Sequence, residues 1–409
     1  MRIVFYALTV AIAAVVTWAF SILILRLSRR YRLYPKIRSR DVHTRPTPRL
    51  GGVAMFLGVV VAIGVAWFIP QLRSAFGEPW QVATILLAAF LIVVMGVVDD
   101  LWDLDWVTKL AGQFIAAGVL AFGGTQIITL PLGDQVVGSS LQSLILTVFV
   151  VVLVMNAVNF VDGLDGLVAG VAIIANGTFF VFTYLQQSAN NLNYFNLAAL
   201  ISAILIGVCL GFLPVNFHPA KMFMGDSGAL LVGLLMAVSA INVTGAISPS
   251  SIATGRVGHS ILLDAYIPIL LPFAILVIPL LDFGLAILRR LRAGKSPFSA
   301  DRKHLHHRLL DMGHTHLHAV LIFYAWTLVA SVGLLMFLFI PWWWALTFIG
   351  VGFLVTSAFT LAPLSRRKQA EAHAQRTDTA DAAPGENVAR LDPLDVAAVT
   401  DTGTEGIDR

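Results

Sequence analysis

The feature that most constrains this chain is a repeated alternation between long apolar runs and short polar segments. Runs of about 17–25 apolar residues recur along the sequence, and about 20 such residues cross the hydrocarbon core of a bilayer as a helix. The chain is 58% hydrophobic and 12% charged, whereas a soluble domain carries about 25% charged residues. A large soluble α/β enzyme is therefore excluded, and the sequence predicts an all-α polytopic membrane protein.

We predict eleven membrane-spanning helices from these runs. The first is too long for the apolar part of a signal peptide and is followed by arginines rather than by a cleavage site, so we expect it to be retained. The single cysteine, Cys209, lies inside a span, which excludes an intrachain disulfide and a thiolate metal cluster. The predicted spans cover about 3–25, 52–70, 81–98, 107–123, 141–158, 165–185, 195–213, 228–246, 260–288, 317–339 and 342–362.

The uneven distribution of lysine and arginine among the loops predicts the orientation of the chain. The segment after the first span holds nine, the segment after the ninth span holds seven and the tail holds six. The opposite loops hold only Arg73 and Arg256, plus Arg2 at the start. Because positive residues favour the cytoplasmic side, we expect the N-terminus outside and the C-terminus in the cytoplasm. This bias explains the net charge of +4 without a nucleic-acid partner.

Composition divides the chain into two predicted domains. Residues 1–363 form a transmembrane catalytic domain, and residues 364–409, with few aromatic residues, form a disordered cytoplasmic tail. The external segment TQIITLPLGDQVVGSS alternates apolar and polar residues around a Gly-Asp turn, which is typical of a short hairpin. No internal repeat is visible, so the inverted symmetry of many transporters is not predicted.

Two adjacent carboxylates, Asp99 and Asp100, end the third predicted span on its cytoplasmic side. The helix dipole disfavours anions at that end, and neighbouring carboxylates repel each other. A pair placed against both effects indicates a nearby cation, either Lys109 or a metal ion.

Other polar groups collect at the same face, in the segments NAVNFVDGLDG and HPAKMFMGDSG. Asp162 and Asp165 are three residues apart, which places them on one side of a helical turn. Asp162 and Asp226 each have a simpler alternative role, as the N-cap of the helix that follows. Carboxylate and amide oxygens suit Mg²⁺ or Mn²⁺, so Asp226, Asn159 and the Asp99/Asp100 pair form a candidate site for Mg²⁺, with Mn²⁺ as the alternative.

Basic residues surround the acidic centre. Arg45 and Arg49 lie in HTRPTPRLGG, where prolines stiffen the backbone and glycines permit close approach. Positive-inside bias and lipid headgroups are the alternative explanation for such residues. Carboxylates, a divalent metal and cations together suit a pyrophosphate substrate and phosphoryl transfer.

Three histidines, His304, His306 and His307, lie in the last large cytoplasmic loop. A zinc site would need imidazoles converging on one ion, and two adjacent histidines cannot readily do so. We therefore expect them to contact phosphate or sugar oxygens of a substrate.

Four motifs in order, DD at 99–100, NAVNFVDGLDG at 156–166, NFHPAKMFMGDSG at 216–228 and HLHH at 304–307, resemble the polyprenyl-phosphate N-acetylhexosamine-1-phosphate transferase family. The resemblance covers about residues 1–363. It implies transfer of a sugar-1-phosphate from a UDP-sugar to a polyprenyl phosphate, with release of UMP. It also implies that Asp226 is a magnesium ligand, that Phe223 stacks on uracil and that Asp162 is a base on the lipid phosphate.

The resemblance further places Asn216 and Asp165 near the nucleoside. The predicted catalytic residues are thus Asp99, Asp100, Asp162 and His304, and the predicted metal ligands are Asp226, Asn159, Asp99 and Asp100. The predicted substrate-binding residues are Arg45, Arg49, Lys109, Asn156, Asp165, Asn216, Phe223, Arg302, His306 and His307.

Two branches of the family differ in their motifs. The branch that uses a UDP-N-acetylmuramoyl-pentapeptide tends to have TPTMGG, a lysine shortly after the Asp pair and a triple-histidine motif. This chain has TPRLGG, Asp103 and HLHH, so it resembles the branch that uses UDP-GlcNAc. The implied partners are UDP-GlcNAc, an undecaprenyl or decaprenyl phosphate and the bacterial cytoplasmic membrane. The pentapeptide specificity, another UDP-sugar and a homodimer are left open.

Two further classes are weighed against this prediction. CDP-alcohol phosphotransferases require D-G-x-x-A-R with further acids, and DGLDGL lacks the arginine. Ion-coupled transporters place ionisable groups near the bilayer midplane, whereas here the acids collect at cytoplasmic helix ends and Asp282 is the one candidate exception. Direct transfer and a two-step route through an aspartyl ester are both compatible with the sequence.

Overall fold

In the computed structural model, helices follow the apolar runs almost one for one. The structure describes residues 2–31, 47–127, 129–132, 135–136, 139–189, 196–245 and 305–381, with isolated positions between 277 and 294. The described helices are α1 (Arg2–Tyr31), α2 (Gly51–Phe68), α3 (Pro79–Trp102), α4 (Trp106–Phe122), α5 (Ser140–Val161), α6 (Leu167–Ala189), α7 (Leu197–Asn216), α8 (Gly225–Gly245), α9 (Leu305–Asp311), α10 (His316–Met336) and α11 (Trp342–Asp381), with a 3-10 helix at Pro70–Phe76.

Within the described residues, nine of these helices are long and apolar enough to cross a membrane. They are α1 to α3, α5 to α8, α10 and α11, and α4 is a shorter apolar helix of 17 residues. These ten helices match ten of the predicted spans, which confirms the prediction of an all-α polytopic membrane protein. The remaining prediction, at about 260–288, lies largely outside the described residues.

Local sequence signals set the beginning of several helices. Asp105, Ser139, Asn196 and Thr315 immediately precede α4, α5, α7 and α10, and each accepts a hydrogen bond from a backbone N–H of the first turn. Such side chains satisfy donors that a helix N-terminus leaves without an internal partner. These caps fix where each polar loop ends and the apolar helix begins.

Helix α8 lies at the centre of the bundle. Of its most apolar 18 residues 89% are buried, against 11% for α11. It packs against α2, α3, α5, α6 and α7, as expected of a helix that is apolar all round. A Cβ added to Gly96 of α3 would lie 2.3 Å from the Cα of Ser227. This close approach brings the end of α3 against the beginning of α8.

The hairpin predicted in the segment TQIITLPLGDQVVGSS is confirmed. Strands β1 (Thr129–Leu132) and β2 (Gln135–Val136) pair in an antiparallel manner, with Thr129 opposite Val136 and Leu132 opposite Gln135.

The tail divides from the bundle near the predicted boundary. Residues Met1–Pro363 form one compact unit and Leu364–Arg409 a second, and α11 continues as far as Asp381. Because residues 382–409 lie outside the described part, the disorder of the tail stays a prediction, as does the orientation of the chain across the membrane.

Candidate active site

The turn after α3 brings a lysine back to the first acid of the pair. Asp103 ends the helix in the left-handed conformation, with φ 54°. The backbone N–H of Leu104 donates to the Asp99 carboxylate at 2.8 Å. The chain then reverses into α4, which places the Lys109 Nζ 2.5 Å from the Asp99 Oδ2. Lys109 therefore supplies a cation beside the acidic pair, which is one of the two alternatives that the sequence left open.

The second acid of the pair, Asp100, contacts the first turn of α8. Its Oδ1 accepts a hydrogen bond from the backbone N–H of Asp226 at 3.1 Å. Its Oδ2 accepts from the backbone N–H and the hydroxyl of Ser227 at 3.4 and 3.1 Å. The carboxylate thus satisfies donors at a helix N-terminus, where the dipole favours an anion. The alternative that Asp226 is itself the N-cap of α8 is wrong, because Asp226 lies inside the helix and Asp100 of α3 caps it.

Gly225 makes this contact sterically feasible. Its φ of +71° lies in the left-handed region, where residues with a Cβ are strained. A Cβ there would also lie 2.3 Å from the carbonyl oxygen of Arg49 and 2.4 Å from the Asp100 Oδ2. The glycine before Asp226 is therefore required by both backbone conformation and space.

The segment that precedes α2 pairs with the segment that precedes α8. The backbone N–H of Phe223 donates to the carbonyl of Pro48 at 2.9 Å, and that of Gly51 donates to the carbonyl of Phe223 at 3.1 Å. A third bond joins the N–H of Gly52 to the carbonyl of Met224 at 3.0 Å. This pairing carries Arg49 and the partly exposed Phe223 side chain to the same end of the bundle as the acids.

Asp226 lies where α4, α5 and α8 meet. Its Oδ2 is 3.3 Å from the Lys109 Nζ, and its Oδ1 accepts a hydrogen bond from the Asn159 Nδ2 at 3.2 Å. The Asp226 side chain is 36% exposed, whereas that of Asp99 is 4% exposed. Asp226 is therefore easier for a ligand to reach than either acid of the pair, Asp99 or Asp100, which are both buried.

The donor set suits a hard divalent cation that is shared with a substrate. No group of three His, Cys, Asp or Glu side chains with the spacing of a metal site occurs in the part of the chain that the structure describes. Mg²⁺, however, usually takes one or two protein carboxylates and completes its shell with water and phosphate oxygens. The accessible Asp226 carboxylate and the neighbouring Asn159 amide meet that requirement. Asp99 and Asp100 already accept hydrogen bonds from Leu104 and from α8.

Asp162 follows α5 in a turn rather than in a helix. It is the C-terminal cap of α5, and residues up to Gly166, with φ +76°, separate it from α6. The prediction that Asp162 and Asp165 share one side of a helical turn is therefore wrong. Burial and the charge of Asp226 raise the pKa of Asp162 to about 7, and the charge of Arg49 opposes the shift. A carboxyl group with this pKa can exchange a proton near neutral pH.

Asp165 and Asn216 tie that turn to the loop between α7 and α8. The Asp165 Oδ2 lies 2.8 Å from the His218 Nδ1 and accepts from the backbone N–H of Ala220 at 3.1 Å. The Asn216 Oδ1 accepts from the backbone N–H of Gly166 at 3.0 Å. The Asn216 Nδ2 donates to the carbonyl of Met222 at 3.1 Å. Both predicted nucleoside residues therefore also hold the two loops together.

Asn156 lies one turn deeper in the bundle than Asn159. Its Nδ2 donates to the Oε1 of Gln113 on α4 and to the carbonyl of Val152 at 2.8 Å. The structure thus brings Asn156 to a partner on α4.

Helix α10 contributes residues that sequence reasoning missed. The Tyr324 hydroxyl donates to the carbonyl of Gly166 at 2.6 Å. The His316 ring stacks on that of His218, with centroids 5.1 Å apart. His218 lies within a quoted motif beside Asn216, so its imidazole offered a signal. Tyr324 lies in an ordinary apolar run and offered none.

Some predicted residues cannot be placed. Arg45, Arg302 and His304 lie outside the described residues, and His306 and His307 are described only as part of the backbone of α9.

The chain is similar to known proteins over most of its length. Residues 82–244 match the family model described as glycosyl transferase family 4. A decaprenyl-phosphate N-acetylglucosaminephosphotransferase of Mycolicibacterium smegmatis is 39% identical over 87% of each chain, and that of Mycobacterium leprae is 41% identical over 87% of this chain and 89% of its own. A probable undecaprenyl-phosphate N-acetylglucosaminyl 1-phosphate transferase of Bacillus subtilis is 29% identical over 72% of this chain and 74% of its own.

Proposed function

Because the chain belongs to glycosyl transferase family 4, we propose that it transfers N-acetylglucosamine-1-phosphate from UDP-GlcNAc to a polyprenyl phosphate and releases UMP. Decaprenyl phosphate is the acceptor in the names of the relatives that are about 40% identical, so it is our first choice of acceptor. The site would face the cytoplasm of a bacterium, in the cytoplasmic membrane, which agrees with the bias of lysine and arginine among the loops.

The observation that carries the proposal is the accessible Asp226 carboxylate between Lys109 and Asn159. A diphosphate substrate brings negative charge, so it needs cations at the position that it occupies. Asp226 and Asn159 would hold Mg²⁺, which neutralises charge on the diphosphate when it is bound. Asp100 would position Asp226 through the first turn of α8 rather than contact the ion.

The remaining side chains suit the two substrates. The partly exposed ring of Phe223 would stack on uracil, close to the loops that Asp165 and Asn216 hold together. Lys109 and Arg49 would bind phosphate oxygens. An oxygen of the lipid phosphate attacks the β-phosphorus of UDP-GlcNAc, the bond to the bridging oxygen breaks, and UMP leaves with the bonding electrons.

Asp162 would accept a proton from, or orient, the lipid phosphate. Its pKa of about 7 lies near the second pKa of about 6 of a phosphate monoester, so proton exchange between the two groups is nearly balanced.

The test is formation of a radiolabelled lipid from UDP-GlcNAc, decaprenyl phosphate and Mg²⁺ by the purified full-length protein, with the product identified by mass spectrometry. Asp226→Asn should lower kcat/KM at least about a thousandfold, since it removes a metal ligand and a charge that together contribute several kcal/mol. Glu78→Gln makes the same chemical change at the exposed residue that precedes α3, at the opposite end of that helix, and should have no effect. Folded wild-type protein that makes no lipid product would contradict the proposal, and so would full activity of Asp226→Asn.

A further inference from the structure

A pair of hydrogen-bonded amides, the buried Gln113 and the partly exposed Asn156, lies one helical turn below the site, on the two helices that flank Asp226. The Asn156 Nδ2 of α5 donates to the Gln113 Oε1 of α4 and to the carbonyl of Val152. Gln113 is only 4% exposed. Both N–H groups of the Asn156 amide are therefore used inside the bundle, so this amide has no N–H left to donate to a substrate.

Each member of the pair is one turn away from a residue that contacts Asp226. Gln113 follows Lys109 by four positions on α4, and Asn156 precedes Asn159 by three positions on α5. Residues at these spacings share one face of a helix. Lys109 and Asn159 approach different oxygens of the Asp226 carboxylate, at 3.3 and 3.2 Å. The amide pair and the contacts of Asp226 are thus two consecutive layers between the same helices.

We propose that the Gln113–Asn156 pair is a positioning device, which fixes α4 against α5 and so places Lys109 and Asn159 on the two sides of Asp226. The buried Gln113 amide has no water as an alternative partner, so separating or rotating either helix leaves its oxygen unsatisfied. Asn156 acts through Asn159 and does not contact the substrate, which differs from the role that the sequence suggested. The inference rests on the proposed function only in that Asp226 holds the ion.

The opposite end of the bundle provides a matched control. The Gln81 Nε2 of α3 donates to the Thr125 Oγ1 at 3.1 Å and to the Asn242 Oδ1 of α8 at 3.0 Å. This is also an amide contact between helices of the bundle, but it is far along α3 and α8 from Asp100 and Asp226. Loss of Gln81 should therefore affect packing alone.

The experiment compares Gln113→Ala, Asn156→Ala, the double variant and the exchanged pair Gln113→Asn with Asn156→Gln, alongside Gln81→Ala. Three quantities are measured on full-length protein: Mn²⁺ binding by electron paramagnetic resonance, kcat and KM for UDP-GlcNAc, and the melting temperature. We expect each single alanine variant to weaken Mn²⁺ binding about tenfold and to lower kcat/KM about ten- to a hundredfold. The double variant should be no worse than either single variant, and the exchanged pair should recover most of the loss.

Three outcomes would overturn the proposal. The first is that both alanine variants melt at a lower temperature, as Gln81→Ala does, but keep Mn²⁺ affinity and kcat/KM. The second is that Asn156→Ala raises KM while Gln113→Ala does not, which indicates direct substrate contact. The third is that the exchanged pair folds and recovers nothing.

The proposed function and this inference fail in different ways. Wild-type protein that binds Mn²⁺ but makes no lipid product would contradict the proposed function. The effect of the Gln113 and Asn156 variants on Mn²⁺ binding could still be measured in such a protein, so the positioning role would be tested separately.

Discussion

Helices α3 and α8 are joined at both of their ends, but by different chemistry. At one end the Asp100 carboxylate accepts hydrogen bonds from Asp226 and Ser227. At the other end the neutral Gln81 amide donates to Asn242 and Thr125. Both contacts satisfy polar groups in the bundle, and both hold the same two helices together.

The two contacts differ in the charge that they leave uncompensated for a ligand to bind. At the neutral end the two side chains that accept hydrogen bonds from Gln81 are uncharged, and packing explains the contact. At the charged end carboxylates outnumber the cations among the described residues that face them, and like charges at close range are unfavourable. Such an arrangement is typical of a site completed by a bound cation and substrate. The groups concerned are Asp99, Asp100, Asp162 and Asp226, with Lys109 and Arg49.

The largest effect in this comparison is expected from breaking the charged contact. Asp100→Ala removes the acceptor for three donors on α8, and unsatisfied buried donors cost about 1–3 kcal/mol each. We expect kcat/KM to fall at least about a hundredfold, because Asp226 would no longer be held in place. The measurement is the radiolabelled lipid assay, together with a melting curve.

Glu78→Ala is the control for Asp100→Ala, since it removes an exposed carboxylate from the other end of the same helix. Equal activity of the two variants would contradict a positioning role for Asp100.

A change of pH is expected to have an intermediate effect on kcat/KM, through Asp162 at the charged end. The pKa of Asp162 is raised to about 7, so its carboxylate form increases as pH rises through that value. If the carboxylate is the active form, kcat/KM should rise up to about tenfold per pH unit below the pKa and then level off. Asp162→Asn should abolish this rise of kcat/KM with pH, whereas Gln81→Ala should retain it. A wild-type profile that is flat from pH 5.5 to 8 would contradict the assignment.

The same shift predicts the pH dependence of stability. The folded protein retains a proton on Asp162 that the unfolded chain has already lost above its ordinary pKa of about 4. The stabilisation from that proton is present below pH 4 and is lost as pH rises to about 7. Wild-type protein should therefore lose stability relative to Asp162→Asn over this range, which melting curves at several pH values would measure.

The smallest effect is expected from breaking the neutral contact. Gln81→Ala should lower the free energy of unfolding by about 0.6–1.7 kcal/mol, the range measured for side-chain hydrogen bonds between membrane helices. Its kcat/KM should equal that of the wild type. A loss of activity as large as that of Asp100→Ala would show that the two ends are not functionally distinct.

The sequence predicts most of the fold because the bilayer imposes a length on every span. Ten of the predicted spans have a described helix, and the hairpin at Thr129–Val136 follows from alternation around a Gly-Asp turn. The helix ends also place Asp99, Asp162 and Asp226 at one end of the bundle, because successive spans alternate in direction.

What the sequence does not predict depends on how the helices are rotated and packed. The hydrogen bond that the Ser227 hydroxyl donates to Asp100 joins residues far apart in the chain, and it requires the close approach of α3 and α8 at Gly96. The bond from Tyr324 to the α5–α6 turn is of the same kind. The turn itself was predictable, since glycines within DGLDG disfavour a helix there.

The backbone pairing of Pro48 with Phe223 has a consequence for how the protein is made. Its two segments are about 175 residues apart in the chain. At a synthesis rate of about 5–20 residues per second, roughly 9–35 s pass between the emergence of one segment and that of the other. During that interval α2 can enter the bilayer before the carbonyls of Phe223 and Met224, which accept from the N–H groups of Gly51 and Gly52, have been synthesised. The site is therefore assembled only after α8 has been inserted, late in the biogenesis of the bundle.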